Sequence, residues 1–281
     1  MILVTGVTGA VGRELLALLT ADGKRLRILA REPRRAPVTS PQVQVVQGSY
    51  ADRCSLDRAL RGVRAAFLVT NSPDEPDDAR FTAAAQAAGV RHLVKLSMMS
   101  VTDADARDLI TRRQRENELL IRQSGLDWTF LRARTFMSNT LMWAPGIRAE
   151  GVVRALYGTS PISCVDPRDI AAVAARVLTE PGHAGTAYAL SGPEPITARQ
   201  QTDRLSRLIG RRLRFEELDR EQARLRLLQR YPRAVVEAFL QSAERQRAEA
   251  KAGVVSTVSD LVGRPARTYA AWAADHRAAF V

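Results

Sequence analysis

Cysteine, histidine and lysine are all scarce in this chain, and each scarcity removes a class of function. Cys54 and Cys164 are too few for a disulfide framework and are not spaced as metal ligands, which fits a reducing cytoplasm. His92, His183 and His276 are scattered without metal spacing, so no metal site is expected. The lysines are Lys24, Lys95 and Lys251, so the formal charge of +12 comes almost wholly from arginine. Those arginines are mixed with acids. The densest stretch, RRLRFEELDREQARLRLLQRYPRA, alternates in sign like a solvated helix face and has no interleaved aromatics on which bases could stack. Nucleic-acid binding is therefore not expected as the main function. Long apolar runs are missing too: even DIAAVAARVL is interrupted by Arg176, so no membrane span is expected. The opening MILVTG reads as a buried strand, and no secretory signal is expected from it.

What is present is an alternation of strand-like and helix-like segments. ILVTG, LRILA, VQVVQG, AAFLVT, HLVKLS, DWTFLR and TAYALSG are short apolar runs, with helical patterns such as GRELLALLTADG and DDARFTAAAQAAG between several of them. Repeated β-then-α units of this length predict an α/β fold, a doubly wound parallel Rossmann sheet with helices on both faces. From about residue 193 the chain turns to longer arginine-rich helices. The expected division is a dinucleotide-binding lobe of residues 1–136 with 161–192, and a smaller, mainly helical substrate lobe of residues 137–160 with 193–281. In VDPRDIAAVAARVL, Asp166, Pro167 and Asp169 read as the start of a helix rather than a catalytic pair.

VTGVTGAVGREL places Gly6, Gly9 and Gly12 between a strand and a helix. Gly6 permits a tight turn, Gly9 lets the backbone approach a pyrophosphate, and Gly12 allows close helix–strand packing, while the helix N-terminus offers N–H groups to the anion. Thr8 adds a hydroxyl, and Val11 belongs to the same cofactor-binding stretch. At the end of the second strand, where an acid would select NAD(H), RILAREPRRA presents Arg31, followed by Arg34 and Arg35. A guanidinium suits a 2′-phosphate, so NADP(H) is expected over NAD(H), with Glu32 as the residue that could turn inward and reverse that choice. Thr70, Asn71 and Ser72 in LVTNSP, and Ser97 in KLSMMS, stand at two further strand ends where a cofactor lies in such sheets.

These motifs, with AAGVRHLVKLS, SGLDWTFLRARTFMSN, AYALSGPEPIT and GRPARTYAAWAADHRAAF, make the chain resemble the NmrA-like family nearly end to end. That family is an atypical branch of the extended short-chain dehydrogenase/reductase superfamily, with flavin-free quinone reductases, dye reductases and cofactor-sensing regulators among its members. The resemblance implies NAD(P) in a Rossmann lobe, usually NADPH, and a substrate cleft beneath a small C-terminal lobe. Better-known reductases of the superfamily use a Tyr-x-x-x-Lys pair, and no tyrosine occurs here between Tyr50 and Tyr157. Where the NmrA-like branch commonly carries histidine, and isoflavone-reductase-like enzymes lysine, eleven residues before Gly125, this chain has Gln114. It also has Ala133 in place of a proline and Ser49 in place of an acid.

Glutamine donates hydrogen bonds but no proton at neutral pH. Reduction of a simple ketone creates an alkoxide that needs a positioned acid, whereas a quinone, enone or iminium gives a stabilised anion or neutral product that water can protonate. The sequence therefore predicts an NADPH-dependent oxidoreductase that passes hydride directly to a planar conjugated acceptor of the quinone, enone or aromatic-polyketide type, without flavin or metal. Ser97 and Gln114 are the candidate catalytic residues, orienting substrate; helical spacing suggests that Glu118 holds the Gln114 amide. Met98, Phe136, Met137 and Trp143, with Met99 and Met142, are candidates to line the substrate site. The competing expectation is a non-catalytic NADP(H) sensor that reports to a protein partner. A monomer or homodimer is expected in either case.

Overall fold

The computed structural model describes residues 1–38, 40–248 and 251–281. The strands are β1 (Ile2–Val4), β2 (Leu26–Ala30), β3 (Val43–Gln47), β4 (Ala65–Leu68), β5 (His92–Met98), β6 (Asp127–Ala133), β7 (Val152–Ala155), β8 (Thr186–Leu190) and β9 (Arg214–Glu217). The principal helices are α1 (Ala10–Ala21), α2 (Arg53–Leu60), α3 (Asp77–Ala87), α4 (Leu109–Gln123), α5 (Ala144–Glu150), α6 (Pro167–Thr179), α7 (Ala198–Ile209), α8 (Arg220–Leu228), α9 (Arg233–Arg247), α10 (Thr257–Val262) and α11 (Tyr269–Asp275). Seven strands form one sheet in the order β3-β2-β1-β4-β5-β6-β8, with β1 parallel to both β2 and β4, as the β–α alternation predicts. The order reverses between β1 and β4, the point at which a doubly wound sheet opens a crevice for a ligand at its carboxyl edge.

The chain divides into two compact units. The first comprises Met1–Met99, Arg113–Ala133 and Pro167–Ala189. Successive strand residues face opposite ways, so each strand feeds two cores. Leu3, Leu29, Ala66, Leu68, Leu93 and Phe130 pack with Leu56, Leu60, Phe81 and Ile121 of α2, α3 and α4. The alternate residues Val4, Ile28, Phe67, Val94 and Leu131 are also buried, and α1 packs on α6 while α6 packs on β4, β5 and β6. Removing all these side chains from water is the main force holding the unit, at about 25 cal/mol per Å² of apolar surface.

The second unit comprises Ser100–Arg112, Arg134–Asp166 and Leu190–Val281. It is mainly helical, with a two-stranded parallel ladder of β7 and β9. Its core gathers Met137, Ile147, Val153, Leu205, Tyr269, Trp272 and Phe280. Helix α7 starts on a complete capping box, in which the Thr197 hydroxyl accepts from Gln200 N–H and the Gln200 side chain accepts from Thr197 N–H, and it ends on Gly210 at φ +69°. Among the described residues no helix is long and apolar enough to cross a membrane.

Candidate active site

The loop between β1 and α1 is built by its glycines. Gly6 lies at φ +67°, and a Cβ on it would come within 2.9 Å of Val69 Cβ. A Cβ on Gly12 would fall 2.2 Å from Gly6 O, so the start of α1 can approach the turn only without a side chain. Gly9 differs, since its Cβ would meet only Gly6 O, at 3.2 Å. Thr8, Gly9 and Ala10 are exposed, and Gly9 caps α1 without any side-chain hydrogen bond. The first turn of α1 therefore presents N–H groups that no helix residue can accept, on an open backbone that a pyrophosphate can approach. The Val11 side chain is buried, which leaves only its N–H available to a ligand. Thr5 braces this turn: its hydroxyl donates to Phe67 O at 3.0 Å and accepts from Val69 N–H at 2.9 Å. These features fit a bound dinucleotide.

At the end of β2, Glu32 turns outward to Arg35, with Oε2 3.2 Å from Nε, and both are exposed. Arg31 and Arg34 have no carboxylate partner among the described residues. Tyr50 donates its hydroxyl hydrogen to Val69 O at 2.7 Å, and burial pushes its pKa above the ordinary value. The Arg31 charge opposes that rise and the burial-driven rise at Asp77, so Arg31 sits beside this edge of the sheet.

Two buried polar networks hold the neighbouring strand ends. In one, Lys95 of β5 is fully buried, with Nζ 3.1 Å from Asp78 Oδ1 and donating to Thr70 Oγ1 at 2.7 Å. Thr70 donates to Asp78 Oδ2 at 2.6 Å, and Asn117 of α4 donates to the same oxygen at 2.9 Å. Thr70 is thus committed to this network, Ser72 accepts from Glu75 N–H within the turn, and Asn71 is exposed. In the other network, Glu118 of α4 is buried and accepts from Ser97 Oγ at 2.7 Å. It also receives Arg132 through Nε at 3.0 Å and Nη2 at 2.6 Å, a two-point ion pair that offsets the desolvation of the carboxylate.

Asn117 and Glu118 fix the rotation of α4, and Arg113 ties it to the loop after β4 through a 2.8 Å bond from Nε to Pro73 O. Gln114, one turn before them, is thereby held on the same face. The suggestion that Glu118 holds the Gln114 amide is corrected here: Glu118 is engaged by Ser97, Arg132 and Arg122, and Gln114 Oε1 is buried with no hydrogen-bond partner among the described residues. The more distant β6 supplied a guanidinium, which a carboxylate prefers to an amide. An unpaired buried acceptor costs about 1–3 kcal/mol.

Sequence reasoning singled out Ser97, Gln114 and Thr70 but missed Asp78, Lys95, Asn117 and Arg132. One local signal existed: Lys95 stands inside the apolar strand HLVKLS, and a lysine there needs a buried partner. Of the residues expected to line the substrate site, Met98 belongs to the first unit, while Phe136, Met137 and Trp143 belong to the second. Met98, Phe136 and Trp143 are half-buried; Met137 is 1% exposed and part of its unit's core. Among the described residues no cluster of three or more His, Cys, Asp or Glu side chains could hold a metal.

A family model described as NAD(P)H-binding matches residues 6–181, from the first glycine of the loop to the end of α6. The (4-alkanoyl-5-oxo-2,5-dihydrofuran-3-yl)methyl phosphate reductase of Streptomyces griseus is 66% identical over 280 residues, covering 100% of this chain and 99% of the relative. The NAD(P)H azoreductase of Xenophilus azovorans is 35% identical over 286 residues, covering 100% and 99%. The structure of an Escherichia coli NADPH-dependent quinone oxidoreductase complexed with NADPH is similar at a TM-score of 0.85 and 27% identity, covering 98% of this chain and 99% of the other. With the glycine cradle in place, the cofactor is NAD(P)H, and the chain belongs to the NAD(P)H-binding family, among its Rossmann-fold reductases.

Proposed function

We propose that this protein reduces the ring double bond of a (4-alkanoyl-5-oxo-2,5-dihydrofuran-3-yl)methyl phosphate, the compound class in the name of its 66% identical relative. The observation that carries the reading is Gln114, an amide at the position where the resemblance leads one to expect histidine or lysine, with Oε1 buried and without a hydrogen-bond partner among the described residues. In that substrate the double bond is conjugated to both the lactone carbonyl and the alkanoyl carbonyl. Hydride arriving at the carbon that bears the phosphomethyl group leaves an enolate shared between two carbonyl oxygens. Such an anion is stable enough for water to protonate, so the protein needs to align the reactants and donate hydrogen bonds to developing charge.

NADPH held by Gly6, Thr8, Gly9, Val11 and Gly12, with Arg31 on its 2′-phosphate, supplies the hydride. Thr70, Asn71 and Ser72 shape the neighbouring strand end, Thr70 through the Lys95–Asp78 network. Gln114 offers its amide to the substrate. Ser97 has given its hydrogen to Glu118, so it acts as an acceptor and fixes the floor of the site. Met98, Phe136 and Trp143 supply apolar contact, and Met137 supports its unit from within the core. Cys54 and Cys164 are free thiols, which suits a reducing, cytoplasmic setting.

The test is isotopic. NADPH carrying deuterium at the transferred position should place it on the ring carbon bearing the phosphomethyl group, and D₂O should place deuterium on the acyl-bearing carbon. Reduction of the alkanoyl carbonyl instead would contradict the proposal. Cofactor binding without turnover of this or any conjugated acceptor would favour the sensor.

A further inference from the structure

We infer that the elbow between α8 and α9 is a docking surface for an anionic lipid bilayer, with Leu225, Leu228 and Tyr231 as its apolar anchor and Arg226, Arg230 and Arg233 as its contacts to lipid phosphates. The inference stands on the second unit alone and does not rest on the butenolide reading.

The alternation of sign in the arginine-rich stretch ends at Glu221. The next acid is Glu237, and the fifteen residues between them carry Arg224, Arg226, Arg230 and Arg233. Arg224 is used within the fold: it donates from Nε to Glu237 Oε1 at 2.8 Å and lies 3.4 Å from Glu221 Oε1. Arg220 pairs with Glu237 and Glu244, so α8 is stapled to α9. Arg226, Arg230 and Arg233 are exposed and pair with no carboxylate among the described residues.

The apolar residues of α8 divide between two faces. Ala223 and Leu227 pack with Val236 and Leu240 of α9. Leu225 and Leu228 lie on the opposite side, one turn apart, and remain 57% and 37% exposed. Tyr231, one further turn on, sets its ring edge-on to Phe239 at 5.2 Å and is still 38% exposed. Every residue from Leu228 to Ala234 is exposed, and none of them is acidic.

Taking this apolar surface out of water is favourable, and the arginines around it select the occupant. A second copy of the chain would bring its own formal charge of +12 and the same three guanidiniums, which repel. An anionic bilayer supplies hydrocarbon for the leucines, the interfacial level that tyrosine favours, and phosphates for the guanidiniums, whose stems lie along apolar surface. A basic helix with an exposed apolar stripe is the pattern of a segment that lies in the interface without spanning it.

The test is co-sedimentation of the full chain with vesicles of phosphatidylcholine, alone or with a third phosphatidylglycerol. The parent should bind the mixed vesicles about tenfold or more tightly than the neutral ones, and high salt should weaken that binding. Leu225→Ser with Leu228→Ser leaves the net charge unchanged and should weaken binding to the mixed vesicles about tenfold. Arg226→Gln, Arg230→Gln and Arg233→Gln together should weaken it about a hundredfold. The same change at Arg25, Arg58 and Arg64, exposed arginines of the first unit, should cost no more than about threefold. Each variant should bind NADPH as the parent does, which shows that it has folded. A parent that ignores anionic vesicles, leucine variants that bind like the parent, or a control triple as costly as the elbow triple overturns the inference. Self-association that the leucine changes abolish, without vesicle binding, gives the surface to a second copy and overturns it as well. None of these outcomes depends on which acceptor is reduced.

Discussion

Lys95 and Lys251 are both withdrawn from water, one in each unit, and their surroundings differ. Lys95 pairs with the Asp78 carboxylate and donates to the Thr70 hydroxyl, and Asn117 donates to the same carboxylate, so its charge has a counterion within the unit. Lys251 donates to the Ser242 hydroxyl; burial and the charges of Arg245 and Arg134 lower its pKa, and Asp108 opposes that fall. A buried charge with its counterion in place needs nothing from outside.

The sharpest way to break this comparison is to remove each ammonium. Lys95→Met strands the buried Asp78 carboxylate and should lower stability by about 3–5 kcal/mol in urea denaturation, whereas Lys251→Met should stay within about 1 kcal/mol of the parent. Similar losses in both would erase the distinction. Next in size is the cofactor charge pair: Arg31→Ala should raise KM for NADPH roughly 10- to 100-fold and leave NADH within about twofold, measured by initial rates. Equal losses for both cofactors would remove the 2′-phosphate contact.

Proton linkage sharpens the comparison further. The folded pKa of Lys251, about 8, lies below the ordinary 10.5, so its contribution to stability is fully present above about pH 10.5 and is lost as pH falls through about 8. Thermal unfolding followed from pH 7 to pH 10.5 should show stability rising through that range, and Lys251→Met should flatten the rise. The smallest expected effect is at Gln114: Gln114→His should leave kcat for the butenolide within about tenfold of the parent and introduce a titration near pH 6.5 into a profile otherwise flat there.

The sheet and the glycine loop were legible in the sequence because their signals are local. Strand residues alternate, Gly6 and Gly12 sit where a Cβ would strike backbone or Val69, and α1 begins at once. The charge networks were much less so. Glu118 is four residues from Gln114 on one helix, yet its partner is Arg132, from a strand that sequence spacing does not bring near. Lys251 gives no local hint of Arg134 or Ser163, which lie about a hundred residues earlier. Outward-turned Glu32 is a rotamer choice, fixed by Arg35 one helical turn on, and the sequence allowed either direction.

The central claim is that Gln114 suffices because the acceptor needs no acid from the protein. It is tested most directly by following NADPH absorbance at neutral pH with the acyl-butenolide phosphate and, in parallel, with its saturated product, which keeps the alkanoyl ketone but lacks the conjugated double bond. The account predicts rapid NADPH oxidation with the first and none above background with the second. Comparable turnover of the saturated ketone would contradict it.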